Sequence, residues 1–308
     1  MIEVQDLTKK YGDLTAVRNL SFKVEKGRIW GLLGPNAAGK TTTMRILTGY
    51  LPATEGKASV AGFDVFDEPD AVKKAIGYLP ETVPLYPDMT VESYLDFVAE
   101  IKQVPSSGRK EAVEKVLKSA ALGGVRGRLI KNISRGFRQR VGIAQAMIHD
   151  PQVLILDEPT IGLDPAQIIE IRELIRSLSG EHTIMLSTHI LAEVTQVCDG
   201  VVIINEGRLM ASGSLEDLTA SFHDRDGVVL RLRRGGAEAA AVFRSLPGVQ
   251  VSTPEGGGLR LEWSRDRDLR DQVTALVVEK ELGLQEMRPI GLNIEDLYLK
   301  VVSGGLGQ

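Results

Sequence analysis

The residues with the clearest chemical purpose lie in one short run, Gly34-Pro35-Asn36-Ala37-Ala38-Gly39-Lys40-Thr41. The spacing is G-x-x-x-x-G-K-[ST], between the apolar stretch Ile29–Leu33 and a segment with helical character. Small residues let backbone N–H groups close around phosphate oxygens, and the helix that follows points its positive end at them. Lys40 is expected to reach the β- and γ-phosphates of a nucleotide and Thr41 to ligate Mg²⁺, with Thr42 beside it in the phosphate site. Ala37 stands where glycine is commoner, which is harmless if its φ is negative and costly if positive.

A second pair could do the complementary work. The apolar run Val153–Leu156 leads straight into Asp157 and Glu158. A buried strand ending in two carboxylates delivers both to the carboxyl edge of a sheet, where ligands bind in doubly wound folds. Asp157 is then placed to hold Mg²⁺, and Glu158 to polarise an attacking water.

Other segments must position these groups. Residues 1–33 are expected to form strands over IEVQDL, LSFKV and RIWGLL, and Lys40–Thr48 a helix. Ala75–Leu79, Val153–Leu156 and Thr183–Leu186 are short apolar strands of the kind buried in a parallel sheet. Thr90–Leu122 has helical spacing broken at Pro105–Gly108, and Ser134–His149 is a further helix. One helix is expected after Pro165 and another near Ile190. Val201–Ile204 and Gly207–Ala211 are expected to form a hairpin across Asn205-Glu206-Gly207. The alternation describes an α/β domain over residues 1–220, with a helical part at about 82–150.

Beyond residue 220 the pattern changes. VVLRLRR, a helix through Ala237–Leu246, VQVS, GLRLEW, a helix through Arg267–Lys280 and LQEMR give the order βαββαβ. That order predicts a small α+β domain over 221–308, a ferredoxin-like split-βαβ sandwich with a turn at Pro254–Gly258. A last helix is expected from Asn293, with Ile294, Leu297, Tyr298 and Val301 on one face.

The 308 residues, 43% apolar and 25% charged, suit one large and one small globular domain. The net charge of −4 argues against a non-specific nucleic-acid binder. Residues 221–308 hold twelve basic and thirteen acidic residues, so they carry no polybasic character. A single cysteine, Cys198, rules out an intrachain disulfide or a cysteine metal cluster and fits a reducing compartment. The opening MIEVQDLTKKYG has no signal-peptide core, and no apolar run is long enough to cross a bilayer.

With these pieces placed, residues 1 to about 220 resemble the ABC ATPases, a P-loop fold with a mixed sheet core and a helical subdomain. Tyr11, in the KKYG segment, looks like the aromatic that stacks on adenine in this family, strand packing being its other reading. Ile133-Ser134-Arg135-Gly136-Phe137 resembles the family signature Leu-Ser-Gly-Gly-Gln. Ser134 and Gly136 match, while Arg135 and Phe137 depart from it. Gly162-Leu163-Asp164 resembles the D-loop, and His189 the switch histidine at the γ-phosphate. Glu81 occupies the place of a usual glutamine, where a carboxylate can still ligate Mg²⁺ or orient water.

The resemblance implies an ATP hydrolase that binds ATP and Mg²⁺, with Glu158 and His189 catalytic. It also implies a homodimer, or a heterodimer with another ABC subunit, in which Ser134 and Gly136 meet the partner's nucleotide. Separate integral membrane permease subunits would form the transport path, placing the chain in the cytoplasm at the inner face of the membrane. The loop sequences IGYLPETVPLYPDMTV and SRGFRQRVGIAQAM, and the ending IEDLYLK, are similar to ABC-2-type exporters, including the gliding-motility-type subgroup. Two other readings stay open: a soluble ABC ATPase outside transport, and a regulatory nucleotide-binding module.

Overall fold

In the computed structural model, residues 1–221, 225–233, 237–253, 258–264, 266–289 and 298 are described. The chain divides into two compact units, Met1–Leu215 and Glu216–Gln308.

The first unit opens with β1 (Ile2–Tyr11) and β2 (Leu14–Val24), an antiparallel pair joined at Gly12. β3 (Ile29–Leu33) is buried along its whole length and runs through the phosphate loop into α1 (Lys40–Leu47). β4 (Glu55–Val60) and β5 (Phe63–Asp64) follow, then α2 (Pro69–Ala75) and β6 (Ile76–Leu79). β4, β5 and α2 carry no strong sequence pattern and were not expected. Ala75, expected in a strand, instead ends α2, which begins with proline in its first turn.

The helical part contains α3 (Val91–Ile101), α4 (Ser106–Ser119) and α5 (Arg135–Met147). The break expected at Pro105–Gly108 falls earlier, at residues 102–105, and Ser106 to Gly108 are already helical, because Pro105 stands at the N-cap of α4 and needs no amide partner there. β7 (Val153–Asp157), α6 (Pro165–Ser177), β8 (Thr183–Thr188) and α7 (Leu191–Val197) continue the alternation. The unit closes with β9 (Gly200–Asn205) and β10 (Arg208–Ser214), paired antiparallel as a hairpin. Glu206 and Gly207 both have positive φ, the backbone a two-residue hairpin turn requires. α8 (Leu215–Ser221) follows.

Two sheets result. An antiparallel sheet has the order β2-β1-β4-β5, and a larger one the order β10-β9-β3-β8-β7-β6. In the larger sheet β6, β7, β8, β3 and β9 are parallel, and β10 is its antiparallel edge. Ile2, Leu7, Leu20 and Val60 of the first sheet share one buried core with Leu32, Ile155, Met185 and Val202 of the second and with Met44, Ile46 and Leu47 of α1. That core clamps α1 between the sheets and so fixes the direction of the phosphate loop.

The second unit runs β11 (Arg225–Leu232), α9 (Ala237–Arg244), β12 (Gln250–Ser252), β13 (Leu259–Ser264), α10 (Arg270–Glu279) and β14 (Leu284–Pro289). The βαββαβ order folds into an antiparallel sheet of order β12-β13-β11-β14, the arrangement of a split-βαβ unit. Its core joins Val228, Leu230, Leu261 and Trp263 to Phe243 of α9 and Val273 of α10. The helix expected from Asn293 lies outside the described residues apart from Tyr298, and the turn at Pro254–Gly258 outside them apart from Gly258.

Candidate functional site

Parallel pairing sets the level of every group in the site. β3 pairs with β8 to the register Leu33↔Thr188, and β8 with β7 to Asp157↔Ser187. The three strands therefore end together. Gly34, Glu158 and His189 emerge side by side at the carboxyl edge, with Glu81 just beyond the end of β6.

The phosphate loop closes by backbone geometry. Gly39, with φ of 100°, is the N-cap of α1, and a Cβ there would lie 2.6 Å from the carbonyl oxygen of Ala16. Only glycine fits that turn. Ala37 has φ of 64°, the left-handed region, so the costly alternative holds at this exposed position. The Lys40 ammonium donates to the carbonyls of Gly34 (2.8 Å) and Pro35 (3.1 Å) and lies 3.5 Å from Glu158 Oε1. Gly34 and Pro35 thus act through carbonyls, and Ala38 is buried under the loop.

Asp157 is 1% exposed. Its Oδ1 accepts from Ser187 Oγ at 2.5 Å and from Thr41 Oγ1 at 3.5 Å. Its Oδ2 is buried with no hydrogen-bond partner. A buried carboxylate oxygen left bare beside a threonine hydroxyl fits Mg²⁺, a hard cation that takes one or two protein oxygens and leaves the rest of its shell to water and phosphates. Among the described residues no group of three or more His, Cys, Asp or Glu side chains could hold a metal.

Glu158 is buried, and its φ of 48° is strained for a glutamate, as functional positions often are. Its amide donates to Ser187 Oγ at 2.9 Å, and its Oε2 faces His189 Nδ1 at 3.0 Å. Burial holds the carboxyl above the usual range, opposed by the charges of His189 and Lys40. A raised carboxyl pKa makes a stronger base near neutral pH.

A cleft of about 700 Å³, in the usual range for a small-molecule site, is lined by Tyr11, Asn36, Ala37, Gly39, Lys40, Thr41, Thr42, Glu81, Glu158 and His189, together with Leu14, Ala16 and Ile161. Tyr11 is 45% exposed, with the Lys9 ammonium 5.2 Å from its ring centre, and so is open to a stacking base. Ser134, Gly136 and Asp164 do not line this cleft. Ser134 caps α5, its Oγ accepting from Phe137 N at 3.4 Å, and Asp164 caps α6, accepting from Gln167 N at 2.9 Å.

Two groups escaped the sequence reading. Ser187 fastens Asp157 and Glu158, and its only signal was a small polar residue at the end of an apolar strand. Glu193 is buried, with its carboxylate on Thr160 and on Thr188 (2.6 Å), and with Arg172 at 3.7 Å. It ties the segment after Glu158 to the segment before His189. Cys198 is buried in apolar surroundings that push its thiol pKa up, so it is unreactive packing.

A phosphate loop, an acid pair and a histidine at one sheet edge define a nucleotide hydrolase, and comparison with known proteins places it. Residues 17–161 match the model of the ABC transporter family. The bacitracin transport ATP-binding protein BcrA of Bacillus licheniformis is 41% identical over 307 residues, covering 99% of this chain and 98% of BcrA. YbhF of Escherichia coli (strain K12), named a probable multidrug ABC transporter ATP-binding protein, is 32% identical over 307 residues. That alignment covers 99% of this chain but 52% of YbhF, so the chain spans about half of that relative's length. Among solved structures, cbiO1 from Clostridium perfringens, titled part of the ABC transporter complex cbiONQ, superposes with a TM-score of 0.66 at 26% identity, over 71% of this chain and 90% of cbiO1. The chain belongs to the ABC transporter family.

Proposed function

We propose that this chain is the motor of an ABC-2-type exporter of the gliding-motility-type subgroup, working as a head-to-tail dimer at the inner face of the membrane beneath separate permease subunits. One observation carries the dimer. The cleft gathers the phosphate loop, Glu158, His189 and Glu81, with Asp157 buried behind Thr41, yet Ser134, Gly136 and Asp164 lie outside it at helix N-termini. Helix N-termini suit phosphate, so each subunit holds one complete half-site and one spare half for a second copy. The order of SRGFRQRVGIAQAM and the likeness to BcrA support export; the cargo path lies in another chain. Among the described residues no helix is long and apolar enough to cross a membrane.

In this reading Tyr11 stacks on adenine, Lys40 and the loop amides hold the β- and γ-phosphates, and Glu81 orients water or the metal. Thr41 and Asp157 would hold Mg²⁺, which when bound neutralises phosphate charge. Glu158 accepts a proton as the water oxygen bonds to the γ-phosphorus and the bond to the β-bridging oxygen breaks. His189, with Nδ1 at 3.0 Å from Glu158 Oε2, keeps the carboxylate aimed at the γ-phosphate. Loss of the γ-phosphate removes the ligand shared by the two subunits and reopens the dimer.

A groove lined by Glu81, Thr82, Val83, Leu85, Pro87 and Ile130 adjoins the cleft, and the exposed Tyr86 packs against Tyr94 and Phe97 beside it. This surface is the proposed seat of a short cytoplasmic helix of the permease. The second unit is proposed to stabilise or regulate the dimer. The test is co-purification of the full chain with its multi-span membrane partner. ATP turnover should be lost in Glu158→Gln, and association lost in the Leu85→Ser, Tyr86→Ser double variant. Association and coupled turnover that survive the double variant would remove the groove from the mechanism. A wild-type chain without ATP turnover would leave only a regulatory module.

A further inference from the structure

The residue that departs most from the family signature has a specific neighbour. Gly162 has φ of 68°, and a Cβ built on it would sink into the Arg135 guanidinium, almost equidistant from Cζ, Nη1 and Nη2. Equal approach to three coplanar atoms means that the guanidinium lies face-on against the Gly162 backbone. The next residue of α5 makes a second close approach to the same region, since a Cβ on Gly136 would lie 2.8–3.0 Å from the side chain of Gln167 in α6. The first turn of α5, which carries Ser134, is thus pressed onto the first turn of α6 and the loop before it.

That loop runs back to the base without a break. Leu163 N donates to Thr160 O (3.2 Å), and Ile161 N donates to Glu158 O (3.1 Å). Thr160 is anchored through its hydroxyl to Glu193. Glu158 itself sits in the left-handed region, a conformation kept only when its surroundings enforce it. Arg135 is exposed, and among the described residues no carboxylate lies within ion-pair distance of it. Its stack on Gly162 is therefore a contact free to respond to what binds at Ser134.

We propose that Arg135 is a positioning residue for hydrolysis: its guanidinium, stacked on Gly162, holds the 158–164 turn and so aims Glu158 of its own subunit. In the dimer read above, on which this rests, ATP of the partner subunit settling on Ser134 and Gly136 moves the same turn of α5. Each base is then set by the occupancy of the opposite site. Lysine cannot replace this arginine, because an ammonium is a compact charge with no flat face to stack.

The first test is kinetic, on the full-length chain. Arg135→Ala should lower kcat about tenfold while KM for ATP and binding of a fluorescent ATP analogue change less than about twofold, since Arg135 does not line the nucleotide cleft. Arg135→Lys should fail to restore kcat. An unchanged kcat in Arg135→Ala, or full rescue by lysine, overturns the proposal.

The second test separates action within a subunit from action across the interface. Mixed dimers are purified through two tags, each dimer carrying Glu158→Gln on one subunit. Adding Arg135→Ala to that same subunit should leave turnover within about twofold. Adding it to the other subunit, whose base is intact, should lower turnover about tenfold. The reverse pattern would make Arg135 a residue that acts on the partner's nucleotide and would overturn the proposal. If one Glu158→Gln already silences the dimer, the homodimer comparison of Arg135→Ala with Arg135→Lys decides. A chain that stays monomeric with ATP in size-exclusion chromatography sinks the dimer reading first, and the cross-site coupling with it.

Discussion

Replacing Ala37 by glycine should stabilise the protein, and the amount can be worked from one dihedral. Ala37 has φ of 64° in an exposed stretch of the phosphate loop. An L-residue in that region pays about 1–2 kcal/mol for the approach of Cβ to the carbonyl oxygen. Glycine pays none of this but has more unfolded-state freedom to lose, about 0.5–1 kcal/mol. The exposed methyl gives up almost no burial, so Ala37→Gly should gain about 0.5–1 kcal/mol. In a cooperative unit of this size that raises the melting temperature by about 1–4 °C. Ala37→Val should move the other way, because a β-branched side chain is still less tolerated at positive φ. The assay is calorimetric unfolding of the full chain, with the transition of the nucleotide-binding unit identified by its upward shift with ATP. Strain carried equally by the free and loaded loop leaves ATP affinity within about twofold. A melting temperature that falls in Ala37→Gly, or a valine variant as stable as the glycine one, would refute the argument.

Glu158→Gln should raise stability at neutral pH, because burial lifts the folded-state pKa of Glu158 above its unfolded value and the ionised form is then a cost to the fold. The gain should be full above that raised value and vanish as pH falls through it toward the ordinary value of 4.5, read as melting temperature against pH. A gain that grows on acidification would show that the ion pairs with Lys40 and His189 outweigh burial. Asp157→Asn should abolish the extra thermal shift that Mg²⁺ adds to ATP, because the bare Oδ2 belongs to a carboxylate that would lose half its donor set. Its ATP turnover should fall by about two orders of magnitude; a retained Mg²⁺-dependent shift would move the metal elsewhere.

The sequence by itself determined the chemistry carried by short contiguous runs. Gly34 to Thr41 closes on itself, since its bonds run between near neighbours, and the Val153–Asp157 strand had to end in its acids. The βαββαβ order of the second unit was legible because alternation of apolar residues reports a period directly. The tertiary structure alone decided what depends on register and on chain partners far apart. β4 and β5 could not be read from the sequence, because an edge sheet tolerates polar residues that blur its period. Ser187 became a site residue only when β8 paired with β7 level with Asp157. Ala37 could be harmless or strained until its φ was known. Arg135 was a bare departure from a signature until the fold laid it on Gly162, because a stack between residues 27 positions apart is set by how two helix ends pack, and no local pattern encodes that.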